Sequence, residues 1–360
     1  MKEELGSPTD KHYDVIATLE VAKIEYIVEG CIGSLPVGRP QADRRAIARA
    51  FVAKAVLNLS TTRQLLDRLA VDQVLRRICG WERRNAVPSE SVFSRAFAEF
   101  AEQRVPERIH EALIDRNLSK ALIGHISRDS TEIEAREKPE KKVSPEEPQR
   151  RKRGRPCKGQ ERPPKAPNRL GQQATMTLPE MLEDLSKVCN VGTKRNSKGY
   201  FETWVGYKLH VDVADGGIPI SCILTSASVH DSQVAIPLAT LTNQRVVNLY
   251  DLMDAAYDAP EIREHSKSLG HVPIIDINPR RNAALKEDLA QERRRLALVR
   301  MTTPEQVRFR ERSTAERLNS RLKDDFGGRN LRVRGHAKAV CHLMFGILAL
   351  TADQILNLVR

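Results

Sequence analysis

The spacing of the apolar residues changes once along this chain of 360 residues, near Leu122. Before that point apolar side chains recur every three or four residues, which is the period of a helix that buries one face. After it they alternate with polar residues, which is the period of a strand. A block of helices followed by strands mixed with helices predicts an all-α domain and then an α/β domain.

The helical pattern divides into several short helices, of which Thr61 can cap one and Gly80 can end the next. We expect a helical domain over residues 41–120, after an N-terminal extension over residues 1–40. Short helices joined by tight turns are typical of a helix-turn-helix that reads DNA and equally of an ordinary helical bundle. One later helix would bury five apolar side chains on one face: Val92, Phe93, Ala96, Phe97 and Phe100.

The second pattern begins with a strand that is predicted to end on Asp129. A hairpin with a half-buried first strand follows, then two more strands and a long helix, which together predict a mixed sheet with helices on its faces. We expect this α/β domain over residues 121–330 and a C-terminal helix packed on it over residues 331–360. The later elements are predicted at residues 207–213, 218–225, 245–250, 272–277 and 304–325.

The net charge of +12 and the pI near 9.5 favour a polyanionic partner such as nucleic acid. A Pro-rich, charged stretch over residues 137–170 has too few apolar residues to fold alone, so we expect a mobile insertion. Within it, Arg153-Gly154-Arg155-Pro156 resembles an AT-hook, although a basic linker has the same composition. Salt-dependent DNA binding is expected from six of its cations: Arg150, Arg151, Lys152, Arg153, Arg155 and Lys158.

The composition excludes several classes of protein. The first 14 residues are polar and contain no apolar segment typical of a signal peptide. The most apolar run, Ala339 to Ala352, is shorter than the roughly 20 residues that span a bilayer, so a buried helix and no membrane association are expected. The six cysteines have no CxxC pair and no zinc spacing. These features predict a reduced, zinc-free cytoplasmic protein.

Three acidic residues stand where a metal site could be built: Asp129 at a strand end, Asp254 beyond a later strand, and Glu316 in a helix. Mg²⁺ prefers a few carboxylates and leaves positions open for water and phosphate oxygens, and Mn²⁺ can replace it. Two such ions can activate an attacking oxygen and stabilise the leaving oxygen of a phosphodiester. Arg312 and Lys323 share a predicted helix face with Glu316 at R-x3-E-x6-K spacing, so we expect them to bind phosphate.

The sequence here resembles the DDE insertion-sequence transposases of bacteria, the broad IS-four and IS-five grouping. Their signature around the last carboxylate is Y-x2-R-x3-E-x6-K, which this chain follows except that Phe309 replaces the Tyr. The resemblance extends to RDSTEIEA around Asp129, to the hairpin, and to LMDAAYD around Asp254. It therefore covers the whole α/β domain apart from the insertion.

The resemblance implies an RNase H-like fold in which the three acids hold two metal ions. It implies metal-dependent cleavage of strands at the ends of an insertion sequence and transfer of those strands into target DNA. Double-stranded DNA would be the partner, in association with the bacterial nucleoid, and a homodimer is expected because two element ends must be handled together. The alternatives are a transposase-derived DNA-binding protein that no longer cuts, and an RNase H-type nuclease without strand transfer.

Other interpretations of single residues stay open. Asp231 competes for the second acidic position but follows the hairpin too early, and Asp251 lacks the D-x2-Y context that Asp254 shares with Tyr257. The charged helix near the end of the domain is alternatively a solvated face with ion pairs between residues four apart. Separate motifs in the family's order favour the catalytic interpretation.

Overall fold

The computed structural model describes five parts of the chain: residues 7–32, 40–119, 121–140, 167–195 and 198–359. A block of helices comes first and a sheet with helices packed on it follows, as the change in apolar spacing predicted. The helical block contains α1 (Asp10–Ala22), α2 (Ile24–Cys31), α3 (Arg44–Val56), α4 (Thr62–Val71), α5 (Gln73–Cys79), α6 (Glu90–Glu102) and α7 (Val105–Leu118).

Helices of this block begin and end where the sequence predicts. The Thr61 hydroxyl accepts a hydrogen bond from the Gln64 backbone N–H at 3.1 Å and so caps α4. Gly80 ends α5 with a φ of 107°, a left-handed conformation that glycine adopts without a steric penalty. Four of the five residues on the predicted apolar face of α6 are buried and Val92 is half-buried, with Phe93 and Phe100 fully inside the core.

Residues 7–32, the described part of the expected N-terminal extension, pack against the helical block. Helices α1 and α2 place Val15, Ile24 and Val28 in the same apolar core as α3. Arg49 of α3 also donates a hydrogen bond to Glu25 of α2 at 2.7 Å. Helices α1 and α2 therefore cover α3. The division of the chain at residue 40 stays a prediction. The helix-turn-helix interpretation of this block stays a prediction.

The second block, in the part of the chain that the structure describes, has six strands and eight helices. The strands are β1 (Leu122–Glu134), β2 (Asn190–Arg195), β3 (Phe201–Ala214), β4 (Ile218–Ser226), β5 (Val247–Met253) and β6 (Val272–Ile275). The helices are α8 (Arg169–Gln173), α9 (Leu178–Asp184), α10 (Ser232–Asn243), α11 (Pro260–Ser268), α12 (Ala283–Leu298), α13 (Pro304–Phe309), α14 (Ser313–Asp324) and α15 (His336–Val359).

The strand order across the sheet is β2, β3, β1, β5, β6, and β4 also pairs with β3. β1 runs antiparallel to β3 and parallel to β5, so the sheet is mixed. Helix α14 packs on β1, and α10 packs on β3 and β4. The predicted RNase H-like α/β architecture, preceded by an all-α region, is confirmed.

β1 does not end on Asp129, as the sequence suggested, but continues to Glu134. Its parallel ladder with β5 stops at Ser127, which lies opposite Leu252. Beyond that point β1 is held by β3, with Asp129 opposite Val211. Asp129 therefore lies just past the end of the ladder to β5, not at the end of its own strand.

Two polar residues in the second half of β3 do not face solvent. His210 and Asp212, which the alternation placed on an exposed face, are fully buried. Asp212 lies opposite Arg128 and accepts two hydrogen bonds from its guanidinium at 2.7 Å each. The Thr242 hydroxyl on α10 donates a third at 2.7 Å. The predicted period was right and the predicted exposure was wrong, because α10 covers this face and the buried polar groups are paired.

Helix α15 packs against both the helical block and the sheet. Phe345 packs against Phe51 and Phe97 of the helical block, with ring centroids 5.6 Å and 6.4 Å away. Met344 lies against Cys222 of β4, with the two sulfur atoms 3.2 Å apart. Within the described residues α15 alone is long and apolar enough to cross a membrane, but 72% of its apolar stretch is buried, as in a core helix. This C-terminal helix packs on β4 of the sheet and also on α1, α3, α6 and α7.

Gly346 of α15 lies where this helix crosses the segment after α14. A β-carbon there would lie 2.6 Å from the Phe326 backbone oxygen. We expect Gly346→Ala to lower the free energy of unfolding by about 1–3 kcal/mol, because the backbone has to shift. In the control Gly30→Ala, a β-carbon on α2 meets nothing within 4 Å, so stability should stay equal or rise by up to about 1 kcal/mol. Urea unfolding measures both, and equal losses would contradict this account.

Candidate active site

Two of the predicted catalytic acids lie on one face of the sheet. The parallel ladder between β1 and β5 ends two residues before each of them. Because side chains alternate between faces in step along neighbouring strands, Asp129 and Asp254 point to the same face. The residues before them point to the other face, where Arg128 Nη1 lies 3.4 Å from Met253 Sδ.

The helix that carries Glu316 lies across the same edge of the sheet. Asn319 on α14 donates a hydrogen bond through Nδ2 to Asp129 Oδ2 at 3.2 Å. Just before α14, the Glu311 backbone oxygen accepts a hydrogen bond from Ser127 Oγ at 3.1 Å. These two contacts hold α14 over the end of the β1–β5 ladder. Sequence reasoning missed Asn319, although its place three residues after Glu316 puts it on the same helix face.

The carboxylate of Glu316 is held by Arg312. Arg312 Nη2 donates a hydrogen bond to Glu316 Oε1 at 2.6 Å, and the Glu316 side chain is 52% exposed. Arg312 stands in a short 3-10 turn, Arg310–Arg312, which interrupts the helix that was predicted to be continuous from residue 304 to 325. The ion pair that formed the alternative interpretation is therefore present. Arg312 nevertheless interacts with all three acids, because its positive charge also acts to lower the pKa values of Asp129 and Asp254.

Lys323, the second expected phosphate-binding cation, also has a partner. Its Nζ lies 2.7 Å from Glu132 of β1, which is paired on its other side with Lys194 at 2.8 Å. Although burial acts against it, the hydrogen bonds from Lys194 and Lys323 lower the pKa of Glu132 to about 2. Lys194 also lies 3.9 Å from Glu202. Lys323 is therefore part of a chain of ion pairs in which two lysines balance two glutamates.

Burial and mutual repulsion raise the pKa values of the two aspartates. Burial is the main cause for Asp129, whose pKa rises to about 6, and the negative charges of Asp254 and Glu316 add to it. Burial also raises the pKa of Asp254, with further contributions from Asp231 and Asp276. A group of acids in this state lacks positive charge, which a bound cation would supply.

Asp251, one competitor for the second acidic position, lies on the opposite face of β5 from Asp254 and is buried. It accepts hydrogen bonds from Asn248 and His271, at 3.1 Å each, and from the Ser266 hydroxyl. Protein donors therefore occupy its carboxylate.

Asp231, the other competitor, is closer to the site than its place in the sequence suggested. It precedes α10 and pairs with Lys208 Nζ at 3.0 Å. Its negative charge nevertheless contributes to the raised pKa of Asp254. Asp231 is therefore a fourth acid in the neighbourhood of the predicted three, neutralised in part by Lys208.

Two buried polar atoms beside the aspartates have no hydrogen-bond partner among the described residues, the Tyr257 hydroxyl and Asn319 Oδ1. Burial, followed by the charges of Asp231, Asp129 and Asp254, raises the pKa of Tyr257 well above its usual value. A buried polar group without a partner is destabilising, so both atoms are suited to a ligand or a water molecule.

The donors at this edge fit a hard divalent cation. Carboxylate and amide oxygens are ligands that Mg²⁺ and Mn²⁺ prefer. No group of three or more acidic, histidine or cysteine side chains in the described ranges is close enough to hold a metal ion directly. Asp129 and Asp254 share a face, whereas the third acid, Glu316, is engaged by Arg312.

The basic insertion is anchored where its ends are described. Glu137 accepts hydrogen bonds from the Tyr207 hydroxyl at 3.0 Å and from the Gly335 backbone at 2.8 Å, and Leu170 is buried. The mobile stretch predicted over residues 137–170 is therefore packed at both ends. Its proposed DNA-binding cations lie outside the described residues: Arg150, Arg151, Lys152, Arg153, Arg155 and Lys158.

Comparison with known proteins identifies the family. Residues 122–352 match the family model described as "Transposase DDE domain", and residues 5–99 match "Transposase domain (DUF772)". No curated protein and no solved structure matches the chain. The first match covers more than half of the chain and contains the sheet, α14 and all three predicted acids. The chain therefore belongs to the DDE transposases of insertion sequences.

Proposed function

We propose that this transposase cuts DNA strands at the ends of its insertion sequence and joins them to target DNA, with Asp129, Asp254 and Glu316 as metal ligands. The parallel register of β1 and β5 carries the proposal, because it brings two acids far apart in sequence onto one face. Helix α14 then crosses that face with the third acid. Buried like charges disfavour folding, and such perturbed groups concentrate at functional sites.

The divalent cations expected here are two Mg²⁺ ions, with Mn²⁺ as a substitute; when bound, they activate the attacking oxygen and stabilise the leaving oxygen of an in-line displacement. The chain's own residues position the reaction. Asn319 orients Asp129 through its hydrogen bond. Arg312 holds Glu316 in the metal-free chain and can turn to a DNA phosphate when a cation takes that carboxylate. Lys323 adds a phosphate contact that orients the strand.

DNA is the partner of this family, and the net charge of +12 supports backbone contacts in this chain. The basic insertion would add salt-sensitive affinity for DNA. Two element ends are handled in one reaction, so we also propose that two copies of the chain act as a dimer on DNA in the bacterial cytoplasm. The helical block would recognise the element ends or assemble that dimer.

A transposase-derived DNA-binding protein that no longer cuts is the second candidate function. The ion pair between Arg312 and Glu316 favours it, since it engages the third acid elsewhere. A nuclease without strand transfer would use the same acids, and joined products distinguish it. The DNA that flanks the coding region is informative as well, because inverted repeats on both sides would favour an active element.

Asp129→Asn should stabilise the metal-free protein at neutral pH. The pKa of Asp129 is about 6 in the fold against an ordinary 3.8, so folding disfavours its charged form. This penalty is absent below about pH 4, grows between about pH 4 and 6, and is complete above that range. By differential scanning fluorimetry we expect a melting temperature higher by roughly 2–4 °C at pH 8 and unchanged at pH 4.

The same pair of proteins tests metal binding. Mg²⁺ or Mn²⁺ should raise the melting temperature of the natural protein, because a ligand that binds only the folded state stabilises it. The variant should respond much less, since it lacks one carboxylate. A variant that responds as strongly as the natural protein would show that Asp129 is not a ligand.

The three acids should be needed for cleavage but not for binding. We expect Asp129→Asn, Asp254→Asn and Glu316→Gln each to reduce metal-dependent cleavage of element-end DNA by more than about 100-fold, since even the outer partners of metal ligands contribute 10–100-fold. DNA affinity should be retained in a mobility-shift assay. The control is Glu311→Gln, which changes an exposed acid five residues before Glu316 and should leave cleavage normal. Undiminished cleavage by any of the three variants would remove that residue from the site.

A further inference from the structure

A second charged cleft lies between the helical block and the segment that follows α14, and none of the three acids lines it. Its cavity volume is about 470 Å³. Lys54 of α3 and the start of α4 line one side, and Arg334, Lys338 and His342 line the other. We call this feature the Lys54 cleft.

Lys54 is the unusual residue of this cleft. Only 9% of it is exposed, and within the described residues its ammonium group has no acidic partner and no hydrogen-bond acceptor. Burial lowers the pKa of Lys54 to about 8. An unpaired ammonium on a largely buried side chain disfavours folding, and a bound anion would offset this penalty.

The rest of the cleft is also suited to an anion. Arg334 and Lys338 are exposed at its rim and form no ion pair with any described residue. Helix α4, which is ten residues long, directs its N-terminus into the cleft, where backbone N–H groups and the helix dipole favour negative charge. Glu90 is the one acid in the lining among the described residues, and it is paired with Arg63 at 3.3 Å.

We propose that the Lys54 cleft binds a phosphate group of the DNA backbone, with Lys54 on the phosphate and Arg334 and Lys338 on its neighbours. This inference rests on the proposed function only in taking DNA as the partner. A single phosphodiester with its sugars fits the cavity, whereas the rest of the duplex lies along the cationic rim. The contact is independent of base sequence, because it is made to the backbone.

The cleft is connected to the acidic edge by α14. This helix carries Glu316 near its start and leads at its end into Phe326, which lines the cleft. The helix continues from Glu316 to Asp324, which spans about 12 Å. That distance corresponds to roughly three or four base pairs of duplex at about 3.4 Å each. The cleft would therefore bind a phosphate of the DNA that is cut, and this phosphate would lie a few base pairs from the reacting one.

The test compares Lys54→Met with Lys267→Met, which removes an exposed lysine on α11 that lies outside the cleft. Binding of a short labelled DNA duplex is measured by fluorescence anisotropy over a range of KCl concentrations. We expect Lys54→Met to weaken binding roughly tenfold and to lower the slope of log K against log salt by about one. Lys267→Met should change neither quantity appreciably. Slopes that are equal for Lys54→Met and the natural protein would overturn the proposal.

Two further experiments cover the remaining outcomes. If inorganic phosphate raises the melting temperature of the natural protein but not of Lys54→Met, while the DNA slope is unchanged, the cleft binds free phosphate and its assignment to DNA is wrong. If Lys54→Met does not fold, Arg334→Gln combined with Lys338→Gln at the exposed rim should lower the slope by about two, and no change would overturn the proposal. The metal response of the Asp129 site is unaffected by these variants, so failure here and failure of the proposed chemistry are distinguishable.

Discussion

One buried ion pair determines where the acids lie. Arg128 of β1 donates two hydrogen bonds to Asp212 of β3 and reaches Met253 of β5 with its third nitrogen, so a single guanidinium joins three strands. Asp129 and Asp254 each follow a residue of this group. Loss of one partner from such a pair leaves a buried charge that costs about 3–5 kcal/mol. Contacts on the opposite face of the sheet thus set the register of β1 and β5 that places Asp129 and Asp254 on one face.

Local chemistry made much of the fold predictable. A hydroxyl at Thr61 and a glycine at Gly80 mark helix ends, because capping and the left-handed conformation depend on few neighbouring atoms. The change of apolar period near Leu122 likewise separates helices from sheet. Exposure was harder to predict. His210 and Asp212 look like surface residues in the sequence, and only the packing of α10 over them buries them.

The candidate site also combines features that the sequence predicts with features that depend on how the elements pack. Motif order selects Asp129, Asp254 and Glu316 as candidates, but spacing along the chain does not say which charges neutralise each other. The pairing of Glu316 with Arg312 depends on side-chain conformation, and the approach of Asn319 to Asp129 depends on how α14 crosses β1. The roles of the three acids therefore stay proposals, whereas the family and the architecture are established by the match and the fold.

The position of α15 has a consequence for the order of folding. Phe345 completes an aromatic cluster with Phe51, Phe97 and Phe100, although about 250 residues or more separate it from them along the chain. The ribosome therefore has to synthesise the entire sheet before the helices made first can close their core. Until then those helices expose apolar surface, and contacts of such long sequence separation form slowly. The helices made first therefore stay prone to association with other chains until α15 packs against them.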